Sequence, residues 1–375
     1  MRVLVDATAI PADRGGVGRY VDNLLPAVAA LGVDLAVVCQ ARDVASFAQA
    51  LPGAEIVAAP AAVDRRPVRL AWEQTGLPLL ARRLRADVLH CPHYTMPQVG
   101  STPVVVTLHD ATFFSHPELH GDVKRRFFQT WTKVAVRRAA TLVVPSEATG
   151  REVRRFAGGD ERAFHVAYHG VDTSVFHPVP PEERERVRAT LGLDGWRYIA
   201  FLGTLEPRKN VPALVRAWVG AVRDLPEPPV LVLAGGPGWD TGVEPALAAV
   251  PAGLDARRAG YLPLDDLPGF LAGAEFVAYP SLGEGFGLPV LEAMACGAAV
   301  LTSRELSLPE VGGDAVAYTS LDDEGMSRAI GDLLADAETR ARLATAATAR
   351  AAGFTWDVSA RRHVEAYEAA VATRG

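Results

Sequence analysis

Residues 279–300 read YPSLGEGFGLPVLEAMACGAAV. An apolar run ending at Tyr279 passes through a glycine-rich turn and into a helix. Gly283, Gly285 and Gly287 let the backbone turn tightly and let another group come close to it. Pro289 suits a first helical turn, where its missing N–H costs nothing. The free N–H groups of a helix start are a natural phosphate site. Glu284 in the turn and Glu292 inside the helix, with seven residues between them, can reach one ligand from two heights. A glycine loop with two solvated glutamates is the plainer reading, but it does not require that acid, aromatic, glycines and second acid keep these places.

Working outward, Trp196–Leu202 reads as a strand that ends in GTLEPRKN (203–210), with a helix from Val211. Folding alone gives little reason for two adjacent cations at a strand's carboxyl end. Arg208 can pair with a diphosphate in bidentate fashion and Lys209 supplies a point charge. VLVLAGGPG (230–238) and AEFVAYPS (274–281) continue the pattern.

The first half repeats the architecture without repeating the sequence. RVLVD (2–6) is a buried strand, followed by a turn holding Gly15, Gly16 and Gly18, then Arg19 and a helix from Val21. The turn lacks dinucleotide spacing and no acid closes the next strand, which argues against a nicotinamide site. Strands are expected at 33–39, 55–58, 87–90, 103–108 and 141–144, with helices between most of them. This alternation predicts α/β units with parallel sheets, whose ligands gather at the strands' carboxyl ends. Polar clusters occupy those ends: His90-Cys91-Pro92-His93-Tyr94, His109-Asp110 and Ser146-Glu147. A lone histidine is more often structural than catalytic, and no spacing among His90, His93 and His109 supports zinc.

The GEGFGLPVLEAMACG wording resembles the E-x7-E motif of retaining GT-B glycosyltransferases of family 4. GxxxPRKN at 203–210 and HGVD within 165–178 are similar to two further segments of that family. The matches run from Gly15 to about Tyr318. The resemblance implies a GT-B fold, α/β with two Rossmann-like domains facing a cleft. It divides the chain into an acceptor-side domain (1–177), a nucleotide-sugar domain (178–354) and a final helix (355–375) that crosses back to the first domain. The proline- and charge-rich stretch 177–186 is the expected linker.

By the same resemblance, donor diphosphate sits between Gly203, Arg208, Lys209 and the helix start formed by Gly285, Phe286, Gly287 and Leu288. Glu292 takes the ribose hydroxyls and Glu284 those of the sugar. Leu262, in Gly260-Tyr261-Leu262, lies beside the nucleobase. Gly16 approaches the donor phosphates, and Arg19, Tyr94 and Asp110 belong to the acceptor side. His109 contacts the transferred sugar, so the catalytic set is His109, Glu284, Arg208 and Lys209. Many members have arginine directly after the first glycine, where this chain has Thr204. No metal or cofactor is implied, and GDP-mannose is the donor the wording most resembles. A UDP-sugar or deoxysugar nucleotide is the alternative. The acceptor is a glycan, lipid-linked or small-molecule hydroxyl.

Bulk properties agree. The chain has 375 residues, enough for two domains, with 49% apolar and 22% charged residues. A net charge of −6 argues against a general nucleic-acid binder. Three cysteines without CxxC spacing read as small buried hydrophobes in a reducing compartment. No apolar run approaches the roughly 20 residues that span a bilayer, and Arg2 leads directly into a strand. The expectation is a cytoplasmic protein with at most peripheral membrane contact. Its basic helix 124–139 reads either as the source of that contact or as a helix with a solvated basic face. A glycan phosphorylase, a sugar-nucleotide epimerase and an inactive binding subunit are the rival readings.

Overall fold

The structure of the protein is a computed structural model and describes residues 1–12 and 14–373. The chain forms two compact units. One holds Met1–Gly170 together with the chain from Thr355 onward, and the other holds Val171–Phe354.

The first unit contains seven strands: β1 (Arg2–Asp6), β2 (Asp34–Cys39), β3 (Glu55–Ala58), β4 (Val88–Cys91), β5 (Val104–Thr107), β6 (Thr141–Val144) and β7 (Phe164–Val166). Their order is β3-β2-β1-β4-β5-β6-β7 and every pair is parallel. Successive strand residues point to opposite faces, so a sheet buried on both sides needs near-continuous apolar strands. Val3, Val5, Leu35, Val37, Val105 and Val143 face the helices Gly16–Ala30 and Trp356–Ala372, meeting Leu24, Val28, Ala366 and Tyr367. Leu4, Ala36, Val38, Leu89, Val106 and Leu142 face the other way, onto Leu77, Ala81, Phe128 and Ala135.

The second unit holds β8 (Tyr198–Leu202), β9 (Val230–Ala234), β10 (Ala256–Gly260), β11 (Val277–Tyr279), β12 (Val300–Ser303) and β13 (Ala317–Thr319), in the order β10-β9-β8-β11-β12-β13. All of its pairs are parallel too. The strand order reverses between β1 and β4 in one sheet and between β8 and β11 in the other. Such switch points are where open α/β sheets hold ligands, beyond the strands' carboxyl ends.

Three features differ from expectation. The edge strands β7 and β10 were not foreseen, because FHV and ARRAG are only partly buried and lack the apolar runs of central strands. The stretch 177–186 is not a linker: Pro181–Thr190 is a helix with Val187 buried, inside the second unit. Proline at its start with Glu182 and Glu183 in the first turn is a helix N-terminus signature. The chain passes between units earlier, at Gly170–Val171, and Val171 N–H donates to the Phe354 carbonyl where the chain leaves again.

Candidate functional site

The second unit's switch point carries both motifs. β8 ends at Leu202, and Gly203 turns the chain with φ +157°. Gly235, at the end of β9, lies so close that a Cβ there would stand 2.2 Å from the Gly203 carbonyl oxygen. A short turn, Pro207–Lys209, follows, and Asn210 in the left-handed region starts the helix Val211–Val222. Beside it, β11 leads into Ser281, Glu284 and the helix Leu288–Ala295, where Gly287 sits at φ +102°. The two loops are tied together. Leu282 N–H donates to the Arg208 carbonyl at 2.8 Å, and Arg208 Nη1 donates to the Gly283 carbonyl at 2.6 Å.

Glu284 is the hub. It is buried, and its Oε1 accepts from Lys209 Nζ at 2.6 Å, Tyr279 Oη at 2.9 Å and Ser281 Oγ at 2.8 Å. Its Oε2 pairs with Arg208 Nη1 at 2.5 Å. Burial alone raises a carboxyl's pKa, but Arg208 and Lys209 outweigh it and bring Glu284 down to about 2. Lys209 is 7% exposed. Burial and the adjacent Arg208 lower its pKa, against the opposing pull of Glu284 and Glu206. Tyr279 Oη also accepts from Lys209, and Glu206 accepts from Arg208. The Ser307 hydroxyl holds the loop from behind through the carbonyls of Glu284 and Phe286, both at 2.8 Å.

Of the residues expected here, Gly203, Arg208, Lys209, Glu284, Gly285, Phe286, Gly287 and Leu288 fall on these two adjoining loops. Glu292 is buried one turn into the helix Leu288–Ala295. Leu262 is half-buried just past β10, beside the exposed Tyr261. Thr204 is exposed. Tyr279, Ser281, Ser307 and Glu206 were missed. Tyr279 closes an apolar strand, and nothing in the sequence separates it from an ordinary core aromatic.

In the first unit, Gly16 opens the helix Gly16–Ala30, and a Cβ built there meets nothing within 4 Å. Arg19 lies half-buried on the same helix. His109, half-buried just beyond β5, donates from Nε2 to the Pro92 carbonyl at 2.7 Å, so its Nδ1 carries the lone pair. Burial lowers its pKa, partly opposed by that bond and by Asp110. Asp110 Oδ1 accepts from the Thr112 N–H and hydroxyl at 3.1 and 2.9 Å, capping the following segment. Tyr94 is buried at φ +58°, uncommon for a bulky residue. Its hydroxyl accepts from the Asp110 N–H at 2.8 Å and donates to the Asp110 carbonyl at 3.2 Å. That makes it a brace for the His109–Asp110 loop.

His90 and His93 are held neutral: burial takes His93 to about 3 and His90 well below its usual value. Among the described residues, no group of three or more His, Cys, Asp or Glu side chains is placed to hold a metal ion. All three cysteines are buried and free.

Lys209, buried, and Arg208, half-buried, stand beside a helix N-terminus at the switch point of a parallel sheet, the place where open α/β sheets hold their ligands. The model for Glycosyltransferase Family 4 matches residues 14–175, and that for Glycosyl transferases group 1 matches 183–350. The O-antigen chain mannosyltransferase B of Escherichia coli is 31% identical over 307 residues, 80% of this chain and 77% of its own length. The D-inositol 3-phosphate glycosyltransferase of Acidothermus cellulolyticus is also 31% identical, over 96% of this chain and 87% of its own. Among solved structures, Anabaena HepE in complex with UDP-glucose aligns over 97% of this chain and 98% of its own, with TM-score 0.76 and 18% identity. The sucrose-phosphate synthase of Thermosynechococcus elongatus aligns over 98% of each chain, with TM-score 0.78 and 19% identity. This chain belongs to family 4, and it is a glycosyltransferase of the GT-B fold.

Proposed function

We propose that the chain is a retaining, metal-independent transferase that moves mannose from GDP-mannose to a glycan, lipid-linked or natural-product hydroxyl. The observation that carries the reading is the Arg208–Lys209–Glu284 cluster beside the helix start at Leu288. The C1–O bond to the β-phosphate breaks as the acceptor oxygen bonds C1 on the same face. The acceptor's proton passes to a departing phosphate oxygen. Charge growing on that phosphate is met by Arg208, Lys209 and backbone N–H groups, in place of a divalent ion. His109, neutral and with its lone pair on Nδ1, accepts a hydrogen bond from a hydroxyl of the transferred sugar. Glu292 binds the ribose, and no cofactor beyond the donor is needed.

The E. coli relative's name supports mannose. The HepE complex with UDP-glucose favours a second reading, a UDP-sugar donor at the same site. A thermal-shift panel of GDP, UDP, ADP and their sugar conjugates without metal separates the two, since a ligand that binds only the folded state raises Tm. Selective stabilisation by GDP and GDP-mannose is expected. A response to UDP alone replaces the donor, and silence from every nucleotide overturns the reading.

A further inference from the structure

Five side chains of the first unit form one hydrogen-bonded chain between the terminal helix and the sheet. His363 Nδ1 lies 2.7 Å from the Ser359 carbonyl, and a carbonyl only accepts, so Nδ1 carries the proton. His363 Nε2 is then the acceptor for Tyr20 O–H at 2.7 Å. Having spent its one proton, Tyr20 Oη accepts from Thr107 O–H at 3.0 Å. Thr107 Oγ1 in turn accepts from His90 Nε2–H at 2.9 Å, and His90 Nδ1 accepts from Tyr367 O–H at 2.9 Å. One fixed carbonyl thus sets the direction of every bond. All five side chains are buried, and the Tyr20 hydroxyl is pinned by a bond on each side, which holds the ring's outer end in place. That ring packs against the His109 imidazole in a T-shaped pair, with centroids 5.0 Å apart and planes at 82°.

We propose that His363 is a positioning residue for His109, acting through Tyr20, so that the terminal helix sets the orientation and dryness of the His109 imidazole. The proposal rests on His109 being the contact to the transferred sugar, and it adds a residue far from the sugar to that contact. With Tyr20 held, His109 keeps Nε2–H on the Pro92 carbonyl and presents Nδ1 as acceptor. With Tyr20 released, water reaches the ring and the tautomer is no longer fixed. Among the described residues, His93, Tyr94 and His169 also pack their rings near His109, Asp110 adjoins it in sequence, and the neutral His90 and His363 lie near enough to interact with it electrostatically. Burial lowers the pKa of His93 and of His169 as well.

The test is nitrogen-15 NMR of the histidines in the full chain, with the His109 signals assigned by their loss in His109→Gln. His363→Leu removes the acceptor for Tyr20, Tyr20→Phe removes the donor, and His363→Gln retains an acceptor at the Nε2 position. In the first two variants the His109 midpoint is expected to rise by about one pH unit and the tautomer signature to become mixed; His363→Gln should restore both. If His363→Leu does not fold, Tyr20→Phe carries the comparison. Wild-type His109 signals in Tyr20→Phe overturn the proposal. Sugar release from GDP-mannose is measured alongside: an unchanged rate in His109→Ala overturns the assigned role of His109 and with it the functional half of the proposal. The coupling itself is read by the imidazole signals alone.

Discussion

Replacing Glu284 by glutamine tests the centre of the site by stability alone, whatever the donor. The side chain keeps its size but leaves the Lys209 ammonium, 7% exposed, without its nearer carboxylate, with Glu206 remaining at 3.9 Å. The Glu284 pKa falls from 4.5 to about 2 on folding. At ~1.36 kcal/mol for each pKa unit, that is about 3 kcal/mol of stability supplied by the charged carboxylate. Lys209 is less favourable, since its pKa is lowered and the pair does not fully repay its burial. The carboxylate side measures this mutation, because the mutation leaves the cation in place. Breaking a buried pair from one side costs roughly 3–5 kcal/mol, in agreement.

For a unit of this size, ~1 kcal/mol moves Tm by about 2–4 °C, so calorimetry at pH 7 should record a loss of about 6–12 °C. A depressed carboxyl pKa gives stability that is full above the unfolded value and lost as pH falls through the folded one. The difference between wild type and variant should therefore be constant above about pH 5 and shrink from pH 4.5 toward 2. Adding Lys209→Met to Glu284→Gln should recover part of the loss, since no orphan charge remains. A variant within about 1 °C of wild type at pH 7, or a double variant as unstable as the sum of the singles, would refute the counter-ion argument.

The buried histidines also lose stability to acid, but over a window that opens at higher pH. His363, lowered to about 4, and His90 and His169, lowered further, stay neutral in the fold but protonate in the unfolded chain below about pH 6.5. Their contribution is full above pH 6.5 and is lost as pH falls through about 4; a first unit equally stable to urea at pH 7 and 5 contradicts this. Gly235→Ala places a methyl 2.2 Å from the Gly203 carbonyl, at φ +128°, and should cost more than about 2 kcal/mol in urea denaturation; an unchanged midpoint would show that the two loops do not depend on that approach. Glu292→Ala should weaken nucleotide binding, whereas Lys209→Ala should slow transfer more than it weakens binding, and wild-type transfer in both sinks the site. Chelation should leave transfer intact, and a loss that magnesium or manganese restores refutes the metal-free mechanism.

Much of this was legible because parallel sheets are demanding. Strands buried on both faces must be nearly continuous in apolar residues, so RVLVD, VVVT and VLVLA declare themselves. The paired cations stood out because they lie in the loop at a strand's carboxyl end, where burial makes charge expensive. β7 and β10 did not stand out, since an edge strand bears solvent on one side and tolerates His165 or Arg257. Tyr279 and Ser281 were hidden for a different reason: their hydroxyls also bond Lys209 and the Arg208 carbonyl, 70 and 73 residues away in sequence. The same holds for Tyr20 and His363, whose bond joins positions 343 residues apart.

That last separation bears on the order in which the protein is made. The second unit is contiguous, Val171 to Phe354, and can close as soon as it clears the ribosome. The first unit, although translated earlier, lacks Ala366, Tyr367 and Ala370 of its own core until the helix Trp356–Ala372 emerges. Until then the part of the sheet face lined by Val105 and Val143 lacks its cover, and it is the surface a chaperone would have to guard. A premature stop near residue 355 therefore does its damage in the half of the protein finished first, leaving its immediate neighbour in sequence able to fold.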